Sequence, residues 1–195
     1  MLHPLLSIVF AFLIAEGGVC SIPSDYMNSV SHTDGGITYT FAADKFYYTD
    51  QDTIRFCYLV ENTGTDTVTF DFDTEEQCAF RVYPDTCTSF CQAGCLDSAL
   101  YYEPVIVHLY PSSFSLPPGQ CRSYSSSWHV GTRVTPGPAP TPGKYRAFGG
   151  LWRNDSSPCF GQLIEPTGLS VDFMIEGIPV GTDDKSWGEI KGIFK

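Results

Sequence analysis

Apolar residues recur at every second position in a series of short segments, and this alternation favours β-structure throughout the chain. The clearest case is Val68, Phe70 and Phe72, which alternate with polar residues. A period of two places successive side chains on opposite faces of a strand. We predict strands within residues 36–48, 52–62, 67–74, 78–85, 104–111, 121–130, 144–152 and 168–178. We also predict a hairpin that joins the second of these segments to the third through a turn at 63–66.

The length and spacing of these segments predict the fold class. A chain of 195 residues has room for one domain with short tails. Short strands with turns about every ten residues are typical of an antiparallel β-sandwich. The predicted fold class is therefore all-β, with the sandwich over 37–178. Residues 179–195 form a tail in which Ser186 and Glu189 match a capping box, so we predict a short helix there.

The N-terminal residues indicate export. The apolar run from Leu5 to Ala15 is too short to span a membrane comfortably, and small residues follow it. We predict a signal peptide over 1–20, a polar linker over 21–36, and a secreted or extracytoplasmic location. No transmembrane segment is predicted in the mature chain. The sequence is compatible with cleavage after Ala15, after Gly17 or around Cys20. Cys20 is therefore either removed or retained, and if retained it forms a disulfide or, as the less favoured alternative, carries a lipid anchor.

Three of the eight cysteines, Cys87, Cys91 and Cys95, lie at four-residue intervals. Cysteines in an exported chain usually form disulfides. A structural zinc site needs four ligands, commonly as two closely spaced pairs, and is the weaker alternative, together with a reactive thiol. We expect disulfides and no metal, with a connectivity that spacing alone does not give. The disulfide candidates are Cys57, Cys78, Cys87, Cys91, Cys95, Cys121 and Cys159.

The same cysteine-rich loop is the candidate binding element. A loop that disulfides make rigid before binding loses less conformational entropy when it docks. Phe90, flanked by Thr88 and Ser89, would then anchor in a pocket of the partner. We therefore predict Thr88, Ser89 and Phe90 as partner-binding residues, and the alternative is a stapled surface loop without a partner.

Several ordered motifs resemble the BsuPI-type intracellular proteinase inhibitor domain. They are "IRFCYLVENTGTDTVTFDF", "EQCAFRVYPD", "SLPPGQCRSYSSSWHV" and "PTPGKYRAFGGL". Together they follow the order of that family over residues 37–175. The resemblance implies an immunoglobulin-like fold for the sandwich over 37–178, and a protein partner such as a serine protease. The segment 85–104 departs from the family pattern.

Charge and motif content narrow the function classes. The formal net charge of −11 argues against a nucleic-acid partner, whose phosphates attract lysine and arginine. No G-x-S-x-G, H-E-x-x-H or P-loop motif occurs. We therefore predict a non-catalytic chain without catalytic residues or a cofactor. Asp71 and Asp73 share one face of a predicted strand, where a solvated surface is favoured over a calcium site.

An alternative function is a structural or adhesive protein of the cell envelope. The C-terminal "SWGEIKGIF" is similar to the endings of some secreted bacterial proteins. In this alternative the sandwich is a scaffold, and the last ten residues act as a sorting or docking segment. The same similarity indicates a bacterial origin.

Overall fold

A computed structural model describes residues 20–91, 95, 99–103, 110–130, 140–153, 162–164 and 166–177, which hold strands and no helix. The strands are β1 (Asn28–Asp34), β2 (Ile37–Ala43), β3 (Tyr47–Tyr48), β4 (Thr53–Asn62), β5 (Val68–Phe72), β6 (Cys78–Pro84), β7 (Tyr101–Glu103), β8 (Ser112–Leu116), β9 (Cys121–His129), β10 (Gly143–Arg153), β11 (Gln162–Leu163) and β12 (Leu169–Ile175). The predicted all-β fold class is confirmed.

Two sheets form the sandwich. The first sheet has four strands in the order β1-β2-β4-β9. The second sheet has the order β3-β12-β10-β6-β7, with β11 paired to β10, and a separate two-stranded sheet joins β5 to β8. The pairs are antiparallel except for β3 with β12, which run parallel over two residues. A predominantly antiparallel sandwich follows from the alternation that the sequence shows.

The facing sides of the two sheets enclose an aromatic core. Phe41 and Phe56 from the first sheet lie 5.9 Å apart between ring centroids, and Phe80 from the second sheet lies 6.2 Å from Phe56. A Cβ atom added at Gly149 would lie 2.7 Å from the Phe41 ring. The sheets therefore approach so closely at this point that β10 accommodates only glycine there without a shift of its neighbours.

Residues 28–34, which fall in the predicted linker, form β1. Gly35 and Gly36 have φ values of 53° and 81°, which fit a two-residue turn that folds β1 back onto β2. The alternation pattern does not predict this strand, because Val30 is its one apolar residue and most of its side chains are exposed. The folded unit therefore begins earlier than the predicted residue 37.

The predicted hairpin between β4 and β5 is wrong. Both edges of β4 are already occupied, by β2 and by β9. β5 pairs instead with β8, where the Phe70 and Phe114 rings stack 4.8 Å apart. Alternation identified β5 as a strand, but it carries no information about which strand edge remains free.

Several predictions lie outside the described residues. They concern the signal peptide up to residue 19, the strand within 104–109 and the helical tail over 179–195. Within the described residues, no helix has the length and apolarity that a membrane crossing requires.

Candidate functional site

The cysteine-rich segment after β6 covers an apolar patch on the outer face of the second sheet. A disulfide between Cys87 and Cys95 closes the segment, with the two Cα atoms 6.0 Å apart. Cys91 is also disulfide-bonded, and Cys159 lies outside the described residues. We call residues 87–95 the clamped loop. The prediction that the cysteines of this loop form disulfides is confirmed, and these bonds indicate an oxidising compartment.

Phe90 anchors the clamped loop to its own domain. The side chain is 6% exposed, and the Arg81 guanidinium lies 4.0 Å from the centre of its ring. The Phe90 carbonyl accepts hydrogen bonds from Arg81 Nη1 at 3.3 Å and from the Tyr83 hydroxyl at 3.0 Å. The prediction of Phe90 as an exposed anchor is therefore wrong. The outer face of the second sheet is apolar, and Phe90 packs against it and shields part of it from water.

Thr88 and Ser89 are exposed, as their predicted role requires. They border a cavity of about 380 Å³ between the clamped loop and the second sheet. This volume lies at the small end of the range for ligand pockets, so it suits one side chain or a small ligand. The lining residues are Thr88, Ser89, Phe90, Cys91, Phe148, Leu163, Gly168, Leu169 and Ser170.

Fixed charges lie next to this cavity on the same face of the second sheet. Arg146 donates two hydrogen bonds to the Asp172 carboxylate, at 2.6 and 3.1 Å, and Lys144 Nζ lies 3.1 Å from the same group. The hydrogen bond from Arg146 lowers the pKa of Asp172, although partial burial opposes the shift. The carboxylate is thus ionised and already paired, two residues beyond Ser170 on β12.

A second cleft, of about 270 Å³, lies where β9 faces β6 and β7. At this cleft, the carboxylate of Glu103, an exposed residue at the end of β7, accepts hydrogen bonds from the buried hydroxyls of Tyr101, at 2.6 Å, and Ser126. Burial and the Glu103 hydrogen bond raise the pKa of Tyr101. Ser126 is bonded directly to a carboxylate, rather than to the histidine of a Ser-His-Asp triad. The cleft is lined by Glu75, Glu76, Gln77, Cys78, Phe80, Glu103, Arg122, Tyr124 and Ser125.

The remaining cysteines divide into one disulfide and two thiols. Cys20 pairs with Cys121, with the Cα atoms 5.7 Å apart. This bond joins the last residue of the predicted signal peptide to β9. Cys57 and Cys78 are free thiols, so their prediction as disulfide candidates is wrong. Burial raises the pKa of both thiols, which makes them poor nucleophiles.

Residues 20–27, which we call the N-terminal strap, explain the burial of Cys57. The strap starts at the disulfide to β9 and ends where Met27 N–H donates to the Asp44 carbonyl. Between these points, Tyr26 lies under the Arg55 guanidinium, 5.5 Å from the ring centre. Burial and the neighbouring Cys57 raise the pKa of Tyr26. The strap thus crosses the outer face of the first sheet.

Metal ligands do not cluster within the described part of the chain, where no group of three or more His, Cys, Asp or Glu side chains could hold an ion. Asp71 and Asp73 are both exposed. They match the solvated face that the sequence favoured over a calcium site.

Comparisons with known proteins show distant similarity to solved structures. No protein-family model and no curated protein matches. A β-glucosidase from Erythrobacter marinus is 12% identical, with a TM-score of 0.35, over 71% of this chain and 15% of the enzyme. The CARDB domain of PF1109 from Pyrococcus furiosus, solved with di-metal ions, is 14% identical over 71% of this chain and 90% of the domain, with a TM-score of 0.33. The sporulation control protein Spo0M from Bacillus subtilis is 13% identical over 82% of this chain and 56% of that protein, with a TM-score of 0.32. These values assign neither a family nor an activity.

Proposed function

We propose that the chain is an exported, non-catalytic binding module that recognises a partner protein through the clamped loop. One observation carries the proposal. Thr88 and Ser89 are exposed beside a cavity, while the Cys87–Cys95 disulfide and the buried Phe90 hold the loop that carries them. A loop fixed before binding keeps more of its contact energy as affinity, because little ordering entropy remains to be lost.

The resemblance to the BsuPI-type domain supports a serine protease as the partner. Because Phe90 packs inward, Thr88 and Ser89 are the contact residues, and the neighbouring cavity receives a side chain of the partner. The immunoglobulin-like architecture implied by the resemblance suits this role, since loops held on a rigid scaffold commonly carry recognition.

The test is inhibition of a subtilisin-class serine protease by the purified protein. We expect inhibition, and we expect Ser89→Arg to weaken it at least about tenfold, which corresponds to about 1.4 kcal/mol. Thr65→Arg is the matched control, since Thr65 is an exposed hydroxyl residue in the turn after β4. Circular dichroism of both variants would verify that they fold.

The outcomes separate the parts of the proposal. Full protease activity at a high excess of the protein would exclude a serine protease of this class as the partner. Equal inhibition by the Ser89→Arg and Thr65→Arg variants would mean that the contact with the protease lies outside the clamped loop. Loss of inhibition in Ser89→Arg alone would support the loop as the recognition element.

A further inference from the structure

β1 is an edge strand of the first sheet without the usual protection of an edge. Its register with β2 is continuous over seven residue pairs, from Asn28 opposite Ala43 to Asp34 opposite Ile37. It contains no lysine, no proline and no bulge, which commonly block pairing of an edge strand with another chain, and its one acidic side chain, Asp34, lies at the end next to the turn. Residues 31–34 are all exposed. The strand therefore presents an open template for a further strand.

The hairpin geometry determines which backbone groups face outward. Asp34 and Ile37 close the two-residue turn, so their backbone groups bond each other across the hairpin. Hydrogen-bonded pairs then alternate along an antiparallel ladder. The N–H and C=O groups of Ser29, Ser31 and Thr33 consequently point away from β2. Within the described residues, no strand pairs with this side of β1.

We propose that β1 pairs with β1 of a second copy of this chain, antiparallel about a two-fold axis at Ser31. In this register Ser31 faces Ser31 of the second copy, and Ser29 faces its Thr33. All three outward residues are thereby used, because each of three pairs exchanges two hydrogen bonds. The two four-stranded sheets become one continuous sheet. This inference goes beyond the proposed function and does not depend on it.

The side chains favour a second copy as the occupant. In the two-fold register Val30 faces His32 of the second copy, and Asn28 faces its Asp34, so no like charges are directly opposed. On the outer face, hydroxyl pairs already join Ser31 to Thr40 at 2.8 Å and Thr33 to Thr38 at 2.9 Å. The dimer extends this hydroxyl ladder across the axis. Small hydroxyl side chains on both copies also allow the strands to approach without a clash.

The net charge gives the dimer a defined salt dependence. Each copy carries a formal charge of −11, so long-range repulsion opposes association at low ionic strength. Salt screens this repulsion over a Debye length, whereas the short hydrogen bonds of the ladder are affected much less. We therefore expect dimerisation to strengthen as salt increases.

The test is sedimentation equilibrium of the purified protein from micromolar to millimolar concentration, at low and high salt. We expect a monomer–dimer equilibrium that shifts toward the dimer at high salt. Ser31→Lys places two lysines opposite each other across the axis and should yield the monomer. Thr53→Lys is the matched control, since Thr53 is an exposed strand hydroxyl in β4, away from the edge. This control should still dimerise.

A cysteine variant provides a second readout that does not rely on destabilisation. Ser31→Cys should form a disulfide between two copies on mild oxidation, because facing residues of paired strands lie within disulfide distance. Thr53→Cys should not. A monomer under all conditions, or a dimer that persists in Ser31→Lys without the Ser31→Cys cross-link, would overturn the proposal. The latter result would place the interface elsewhere.

Discussion

At the scale of single residues, Arg81 determines the conformation of the clamped loop. Arg81 is 6% exposed and lies on the outer face of the second sheet, where its guanidinium stacks on Phe90 and donates to the Phe90 carbonyl. The spacing of the cysteines predicted that the loop is closed, but not the direction in which Phe90 points. That direction depends on the apolar outer face of β6 and β10, which became evident only when the strands were assembled.

Replacing Arg81 tests this account. We expect Arg81→Met to lower the free energy of unfolding by about 2 kcal/mol, because it removes a buried cation–π contact and a charged hydrogen bond. Arg122→Met is the control, since Arg122 also stacks on an aromatic ring, Phe114 at 4.7 Å, but is exposed. It should lower the free energy of unfolding by less than about 1 kcal/mol. Urea denaturation measures both, and equal effects would contradict the role assigned to Arg81.

Asp52 gives the fold an acid-sensitive contact. The hydrogen bond from Lys45, at 2.7 Å, and that from the Thr49 N–H lower the pKa of Asp52 to about 2. A carboxyl whose pKa is lower in the folded state stabilises the fold above its unfolded pKa of about 3.9. We expect this stabilisation to be complete above about pH 5 and to disappear as the pH falls toward 2.

The measurement is the melting temperature between about pH 6 and about pH 2, a range that spans the transition. Asp52→Asn should flatten this dependence, since it removes the titrating group. Lys45→Met should flatten it in part, because the Thr49 bond remains. An unchanged profile in Asp52→Asn would exclude Asp52 as a source of the acid sensitivity.

At the scale of elements, alternation predicted β2, β4, β5, β6, β9, β10 and β12. It missed the short strands β7, β8 and β11, and it missed β1, whose sequence is polar because one face is solvated and the strand lies at an edge. The "DGG" at the end of β1 is the signal that could have found it, since the two glycines have positive φ values and form a hairpin turn. Strand pairing was less predictable, because it depends on which edges are free, as the β5–β8 sheet shows.

The N-terminal strap is the element that should control access to Cys57. Alkylation in denaturant without reductant should label Cys57 and Cys78, but not Cys20 or Cys121. In the native protein, replacing both Cys20 and Cys121 by serine should accelerate labelling of Cys57, because the strap is no longer held at its first residue. Peptide mass mapping measures each site.

Cys78 is the internal control for this experiment, since it lines the cleft beside β9 rather than the face under the strap. The ratio of Cys57 to Cys78 labelling should therefore rise in the double variant. A constant ratio would mean that general loosening of the fold, and not release of the strap, exposes the thiols.

At the scale of the whole molecule, the second sheet is covered on both faces. The first sheet packs against its inner face, and the clamped loop covers part of its outer face, where Tyr83, Phe148 and Trp152 are buried. The sequence predicted one sandwich core, because period-two patterns indicate a strand with one buried face. A second apolar cluster arises because β6 and β10 carry buried side chains on both faces.

The disulfide between Cys20 and β9 also determines how the molecule carries mechanical load. Tension applied to the chain before Cys20 passes through the covalent bond to Cys121, and so bypasses the strap and the β1–β2 hairpin. The disulfide closes a loop over a sequence separation of 101 residues. The segment inside it, which would span roughly 340 Å when fully extended, therefore cannot be stretched. An oxidised molecule tethered at its N-terminus is therefore short and stiff, and reduction would make it long and compliant.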